Sequence, residues 1–254
     1  MSLDACAEIV RRGDPDRFRA VMAAPVPARA RLLPLYAFNV EVARAPWVTG
    51  EPLIAEMRLQ WWRDALDEIA AGQPVRRHEV ATPLGAVLDP GAARQLDALV
   101  AARRCDVDGG PADMDQLDDY LRDTGGRLMA VAGQVLGAPT DESAALERLG
   151  RGLAAANWLL ALPDLARAGK PAFCHDRPDD LAALAARGRA QLAGIGRQSR
   201  PGRIAGLAAW KARAVLVRAQ ADPAAATGGR LEPGAARQSL LLLRAALGVS
   251  LRRA

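Results

Sequence analysis

Between Pro52 and Gly72 the chain reads PLIAEMRLQWWRDALDEIAAG, with Leu59, Trp62, Leu66 and Ile69 recurring every three to four residues among Asp64, Asp67 and Glu68. A helix of 3.6 residues per turn gathers such positions on one face, whereas a strand scatters them over both. The same periodicity returns along the chain, each stretch closed by proline or glycine. It predicts helices over 3–12, 29–44, 52–71, 82–88, 91–103, 114–136, 142–160, 181–192, 203–221 and 233–251. A further short helix, capped by Asp16, runs to 22. Alanine, leucine and arginine dominate and aromatic residues make up 4%, a composition that favours helix over sheet. One apolar stripe per helix fits an all-α fold in which residues 1–254 form a single-domain helical bundle. Pro34 is expected to kink the third helix or to mark its true start. Gly125, Gly126 and Gly133, inside the 114–136 helix, are expected where helices pack closely or a ligand approaches.

Charge is distributed unevenly. Residues 181–254 hold 13 Lys/Arg against only Asp222 and Glu232, while the first 180 hold 21 against 27 acids. The carboxyl-terminal portion from about 181 is therefore basic. It suits a solvated face, an anionic lipid surface, a diphosphate or an acidic partner. Interleaved surface aromatics and known motifs are missing, so no nucleic acid is expected. No run of 18 apolar residues occurs, and the amino terminus does not read as a secretory signal. Cys6, Cys105 and Cys174 are odd in number and far apart, without metal-ligand spacing. They imply a reducing compartment. The expected location is the cytoplasm, with peripheral contact at the inner face of the cytoplasmic membrane.

Few residues carry chemistry. His78 and His175 lie in loop-like sequence, and the cluster Cys174–His175–Asp176 reads as incidental because adjacent side chains do not face one another. Asp115, Asp119 and Asp123 recur every four residues and share a helix face. Such a row repels itself unless a cation or arginine neutralises it. Mg²⁺ would bring a diphosphate with it; alternatively the acids simply favour the positive end of a helix dipole, with Asp113 or Asp115 as cap. Asn157 falls on an otherwise apolar stripe and needs a partner, in the core or in a ligand. Asn39 accompanies Tyr36 on the third helix. Arg58 and Trp62, four apart, either stack or let Arg58 reach a cavity.

Several segments together resemble the squalene/phytoene synthase family: RFRAVMAAPVPARARLLPLYAFNVEVAR at 17–44, MRLQWWRDALDEIAAGQP at 57–74, YLRDTGGRLMAVAGQVLG at 120–137 and LGRGLAAANWLLALPDLARAGK at 149–170. They occur in the family order over most of the first 175 residues; the last 80 match weakly. The resemblance implies the all-helical isoprenoid synthase fold. It also implies enzymes that condense two prenyl diphosphates, with Mg²⁺ held by two facing aspartate-rich motifs and a dry cavity for the carbocation. This sequence departs from both motifs. In family register, the first set of acids falls on Ala43, Arg44 and Trp47. The second motif falls on Arg148, Ala154, Asn157, Leu160 and Ala161, of which only Asn157 matches, followed by Gly169 and Lys170. The phrases AFNVEVAR and RLQWWRDALDEI are most similar to the branch that includes a mitochondrial complex I assembly factor. The resemblance thus implies a non-catalytic or altered member, an accessory factor for a respiratory complex that holds an isoprenoid or lipid. Tyr36, Asn39, Arg58, Trp62, Asn157 and Lys170 are its candidate cavity or diphosphate contacts. The enzymatic alternative is a Mg²⁺-dependent prenyltransferase using farnesyl or geranylgeranyl diphosphate, with Asp115, Asp119 and Asp123 as metal ligands.

Overall fold

Alternating apolar stripes and proline or glycine breaks resolve into fourteen α-helices among the described residues, which are 3–48, 50–169 and 177–250 of a computed structural model. In chain order they are α1 (Leu3–Gly13), α2 (Pro15–Ala23), α3 (Val26–Arg44), α4 (Pro52–Ala70), α5 (Ala81–Gly85), α6 (Pro90–Ala102) and α7 (Met114–Leu121). There follow α8 (Arg127–Leu136), α9 (Ser143–Arg167), α10 (Pro178–Gln191), α11 (Arg200–Gly206), α12 (Ala212–Ala221), α13 (Ala224–Thr227) and α14 (Ala235–Ser250). No strand occurs among the described residues. The single-domain helical bundle expected from the periodicity is the observed fold class.

The longest helix, α9, is the hub. It packs against α8, α10 and α12 and against the turn that joins α7 to α8. Its inner face buries Leu146, Leu153, Leu159 and Leu162. Buried leucines of this kind contribute about 1.5–3 kcal/mol each. On the other side of the bundle α4 lies on α6, and α1 lies on α3.

Several boundaries moved for identifiable reasons. Asp14, not Asp16, caps α2: its carboxylate accepts from Arg17 N at 2.9 Å. Asp16 instead meets the buried ammonium of Lys211, which also donates to Glu232 at 2.6 Å. That buried cation fastens α2 to the chain around residues 211 and 232, and near it the helix expected at 203–221 breaks into α11, a 3₁₀ turn and α12. Pro34 sits inside α3 and Pro163 inside α9 without ending either helix. Each forfeits one backbone hydrogen bond, and burial of the flanking Leu33, Leu35 and Leu162 offsets it. The helix expected over 114–136 is interrupted by a wider, π-helical turn at Arg122–Gly126. Thr124 Oγ1 donates to the Tyr120 carbonyl oxygen at 2.6 Å there. Asp113 caps α7, accepting from the backbone N–H groups of Asp115 and Gln116.

The glycines explain how close α9 comes. A Cβ on Gly150 would collide with the carbonyl oxygen of Gly125, and a Cβ on Gly125 would stand 2.5 Å from that of Ala154. Backbone meets backbone at this crossing, so a methyl group has no flexible neighbour to displace. Gly150→Ala is expected to lower stability by about 1–3 kcal/mol through overpacking, read as a reduced urea midpoint with an unchanged m-value.

Candidate functional site

Helical spacing and the small residues around the Gly125–Gly150 crossing leave space between α3 and α9. A cavity of about 540 Å³ opens there. Asn39, Ala43 and Trp47, at i, i+4 and i+8, line it from α3 and the turn that follows. From α9 come Ala154, Asn157, Trp158, Ala161, Asp164 and Leu165. Thr124 and Gly125 of the π-helical turn line it too. A smaller depression of about 380 Å³ shares Trp47 and Ala168 with it. Nearby in sequence, Val48, Leu53, Ile54 and Met57 are exposed.

A polar network forms part of the wall. Tyr120 Oη donates to Asp106 Oδ2 at 2.9 Å, and the guanidinium of Arg103 donates both to Tyr120 Oη and, at 3.3 Å, to Asp106. The Arg103 guanidinium also lies 5.4 Å from the centre of the Tyr120 ring, and Trp158 meets that ring edge-on at 5.7 Å. Burial pushes the Tyr120 phenol well above its ordinary range, which keeps it protonated and donating. Burial disfavours the Arg103 cation, but Tyr120 and Asp106 more than offset it, so the guanidinium stays charged. Two buried donors on lining side chains, Trp158 Nε1 and Arg103 Nε, have no hydrogen-bond acceptor. Arg17, also on the wall, is held by Asp14.

The candidates from the sequence separate into groups. Asn39 and Asn157 both line the cavity, from facing helices; Asn157 is only half-buried and is aligned with the space rather than with the core. Tyr36 lies in the core, with the Arg17 guanidinium 5.5 Å from its ring centre and its phenol pushed up to about 12 by burial. Trp62 is also a core residue, edge-on to Phe38 at 5.1 Å and to Trp61 at 4.8 Å. Arg58 is exposed on the outer turns of α4 and does not line the cavity, so stacking on Trp62 gives way to packing among aromatic rings. Lys170 and the Cys174–His175–Asp176 cluster lie outside the described residues.

Asp115, Asp119 and Asp123 do not converge on the cavity. Asp119 pairs with Arg122 at 2.6 Å, Asp123 with Arg122 and Arg127 at 2.9 and 3.0 Å, and Asp115 with Arg187 at 3.3 Å. Burial opposes the Asp123 charge, but Arg122 and Arg127 outweigh it and hold its carboxyl below the ordinary range. Among the described residues no group of three His, Cys, Asp or Glu side chains is placed to hold a metal.

Mg²⁺ asks for oxygen ligands in octahedral array. In family register the acids that would face one another there fall on Ala43, Trp47 and Ala161, all of which line the cavity and none of which can coordinate. The carboxylates that do reach the wall are Asp106, engaged by Tyr120 and Arg103, and Asp164, engaged by Arg167. These residues do not fit a Mg²⁺ cluster. Arg148, at the start of the second motif, is turned away and donates to the carbonyl oxygens of Ala190 and Ala193 at the end of α10.

The profile described as squalene/phytoene synthase matches residues 10–176. The chain belongs to the squalene/phytoene synthase family. Its fold matches that of a dehydrosqualene synthase solved with a ligand, with a TM-score of 0.74 at 13% identity, over 98% of this chain and 96% of that one. Proteins named NADH dehydrogenase (ubiquinone) complex I, assembly factor 6 are also similar. The Bos taurus protein is 25% identical over 145 residues, covering 52% of this chain and 40% of its own length. The Homo sapiens protein is 24% identical over 145 residues with the same coverage. The Drosophila melanogaster homolog is 29% identical over 180 residues, covering 65% of this chain and 52% of its own. The chain thus spans about half or less of the relatives it matches. These relatives are mitochondrial complex I assembly factors, which overturns the cytoplasmic placement drawn from the sequence. Unpaired cysteines report a reducing environment, and more than one compartment supplies that.

Arg103, Asp106, Tyr120 and Trp158 were not singled out from the sequence. Tyr120 stood inside the aspartate row and Trp158 beside Asn157, both overlooked in favour of acids. Tyr120→Phe is expected to lower stability by about 1–2 kcal/mol, because Asp106 and Arg103 both lose a partner in a buried site; a denaturant titration measures it.

Proposed function

We propose that this protein is a non-catalytic member of the squalene/phytoene synthase family that serves as an accessory factor in assembling a respiratory complex of the complex I type. One observation carries the reading: the positions that face the cavity from α3, the turn after it and α9, where the resemblance places the family's acids, are Ala43, Trp47 and Ala161. Among the described residues no carboxylate pair stands across the cavity to hold Mg²⁺ against a departing diphosphate. The similarity to complex I assembly factor 6 proteins supplies the accessory role. In this reading the cavity has kept its apolar walls and holds an isoprenoid or lipid, with Asn39 and Asn157 as polar contacts. The pure protein with Mg²⁺ and farnesyl or geranylgeranyl diphosphate is expected to yield no condensed product. Loss of the gene in its native host is expected to reduce assembled complex I, measured as NADH:quinone activity and intact complex on native gels. Condensed product at turnover above about 1 s⁻¹, within the ordinary enzymatic range, would establish the prenyltransferase alternative instead.

A peripheral membrane contact through the basic end belongs to the same proposal. α14 turns Leu241, Leu242 and Ala245 toward the core and leaves Leu240, Leu243 and Leu247 exposed beside Arg237 and Arg244. No acid occurs from 233 to 254. A helix with leucine and arginine on its free face suits an anionic lipid surface. The protein is expected to co-sediment with phosphatidylglycerol-containing vesicles, and the double variant Leu240→Ser/Leu243→Ser to lose most of that binding; equal sedimentation of both would remove α14 from the contact.

A further inference from the structure

A groove in the basic last third of the chain stands apart from the α3–α9 cavity. It opens between α10 and α12 with a volume of about 320 Å³, within the size of small-molecule sites, about 300–1,000 Å³. Ala186, Ala190 and Ala193 line it from α10 and the turn that follows, at i, i+4 and i+7, and their small side chains leave the space open. Its polar lining is Arg189, Arg213 and Gln220, and no acid is among its described lining residues. Arg189 donates to the Gln220 amide oxygen, which leaves the amide N–H groups of Gln220 as further donors. Arg213 is exposed and makes no ion pair among the described residues. The two acids of this part of the chain are engaged elsewhere, Asp222 by Arg230 at 3.8 Å and Glu232 by Lys211 at 2.6 Å. Arg187, two residues before Arg189, shows the contrast: it does not line the groove and pairs with Asp115 and Asp118 at 3.3 and 3.4 Å.

The end of α10 would ordinarily oppose an anion here, because the last carbonyl groups of a helix carry the negative end of its dipole. Arg148 of α9 reverses this. It donates to the carbonyl oxygens of Ala190 and Ala193 at 3.2 and 2.8 Å and sets a cation where the partial negative charge stood. Packing fixes the helices that carry the arginines. A Cβ on Gly188 would stand 2.9 Å from that of Ala155 and 3.0 Å from Leu216 Cδ2, so α10 is seated tightly against both α9 and α12. From these observations we propose that the α10–α12 groove binds a phosphate group, gripped by the Arg189 and Arg213 guanidinium groups with the Gln220 amide as a neutral donor. Guanidinium forks match phosphate oxygens in pairs, and the hydrogen bonds are charge-assisted. A soluble phosphate and a phospholipid headgroup share this chemistry. The groove has no lining residue in common with the α3–α9 cavity, so the site stands whatever that cavity holds.

The full chain is titrated with inorganic phosphate at about 0.15 M salt, where attraction between exposed charges is screened beyond roughly 8 Å. The side-chain Nε–H NMR signals of Arg189 and Arg213 are expected to shift and to saturate together. Arg189→Gln and Arg213→Gln are each expected to weaken phosphate binding at least about tenfold, the loss of one charge-assisted contact. Arg218→Gln removes the same charge from α12 at an exposed position outside the groove lining and is expected to leave the affinity unchanged. All three arginines are exposed, so their replacement leaves the core intact. A second arm sediments the chain with phosphatidylcholine vesicles, with and without phosphatidic acid. Retention on phosphatidic acid that Arg213→Gln removes and free phosphate competes away makes the headgroup the source. Saturable phosphate binding with vesicle retention indifferent to Arg213→Gln makes it a soluble phosphate. Absence of a saturating shift overturns the proposal, as does an equal loss in Arg218→Gln, which would return the binding to the basic face as a whole.

Discussion

The crossing of α9 with the α7–α8 turn sets the geometry on which the rest of the bundle depends. At Gly125 and Gly150 the two backbones approach without side chains between them, and the π-helical turn at Arg122–Gly126 is where the chain widens to meet α9. The same contact fixes the rotation of α9. With Gly150 and Leu153 turned inward, Ala154, Asn157 and Ala161 are carried round to face α3. The cavity is a consequence: small residues at the crossing bring the helices together, and small residues on the facing rows leave space beside it.

That space is chemically quiet. A condensing enzyme of this architecture needs concentrated negative charge on two helices to hold Mg²⁺ against a diphosphate. Here the charges on the wall cancel in pairs, and the strongest polar feature is the Arg103–Asp106–Tyr120 network. Its hydroxyl, carboxylate and one guanidinium nitrogen hold one another within the wall. Two donors on the same side chains, Trp158 Nε1 and Arg103 Nε, are buried without an acceptor.

Much of the fold was legible because helices announce themselves locally. The spacing of Leu59, Trp62, Leu66 and Ile69 placed α4 within a residue at each end. Asp113 was legible as a cap. The register of the degenerate motifs was also readable: Ala43, Trp47, Ala154, Asn157 and Ala161 all reach the cavity. What failed was local reasoning about breaks and partners. The spacing predicts a helix ending near 160, yet α9 runs through Pro163 to Arg167 because tertiary burial offsets one lost hydrogen bond. Arg58 is expected from its spacing to stack on Trp62 or to reach a cavity, yet it is exposed and lines no part of the α3–α9 cavity, while Phe38, distant in sequence, meets the edge of the Trp62 ring. The aspartate row was a true helix-face pattern whose neutralising partners included Arg187, 72 residues away from Asp115.

The sequence by itself determined the helical class, the order of the elements, the family and the loss of carboxylates from both motif helices, since each of these is written in residue type and spacing along one segment. It left the last third open: the family profile ends at residue 176, and the basic composition beyond it suited many roles. Only the tertiary structure carried the shared fold through nearly the whole chain, fastening the end to α2 through the buried Lys211 between Asp16 and Glu232. Only it assembled Arg103, Asp106, Tyr120 and Trp158 into one wall, and only it showed that the charges of the described lining residues are paired. The physical reason is the same in each case. Periodicity reports which face of a helix is buried, whereas charge pairing and hydrogen-bond satisfaction depend on which other helix that face meets.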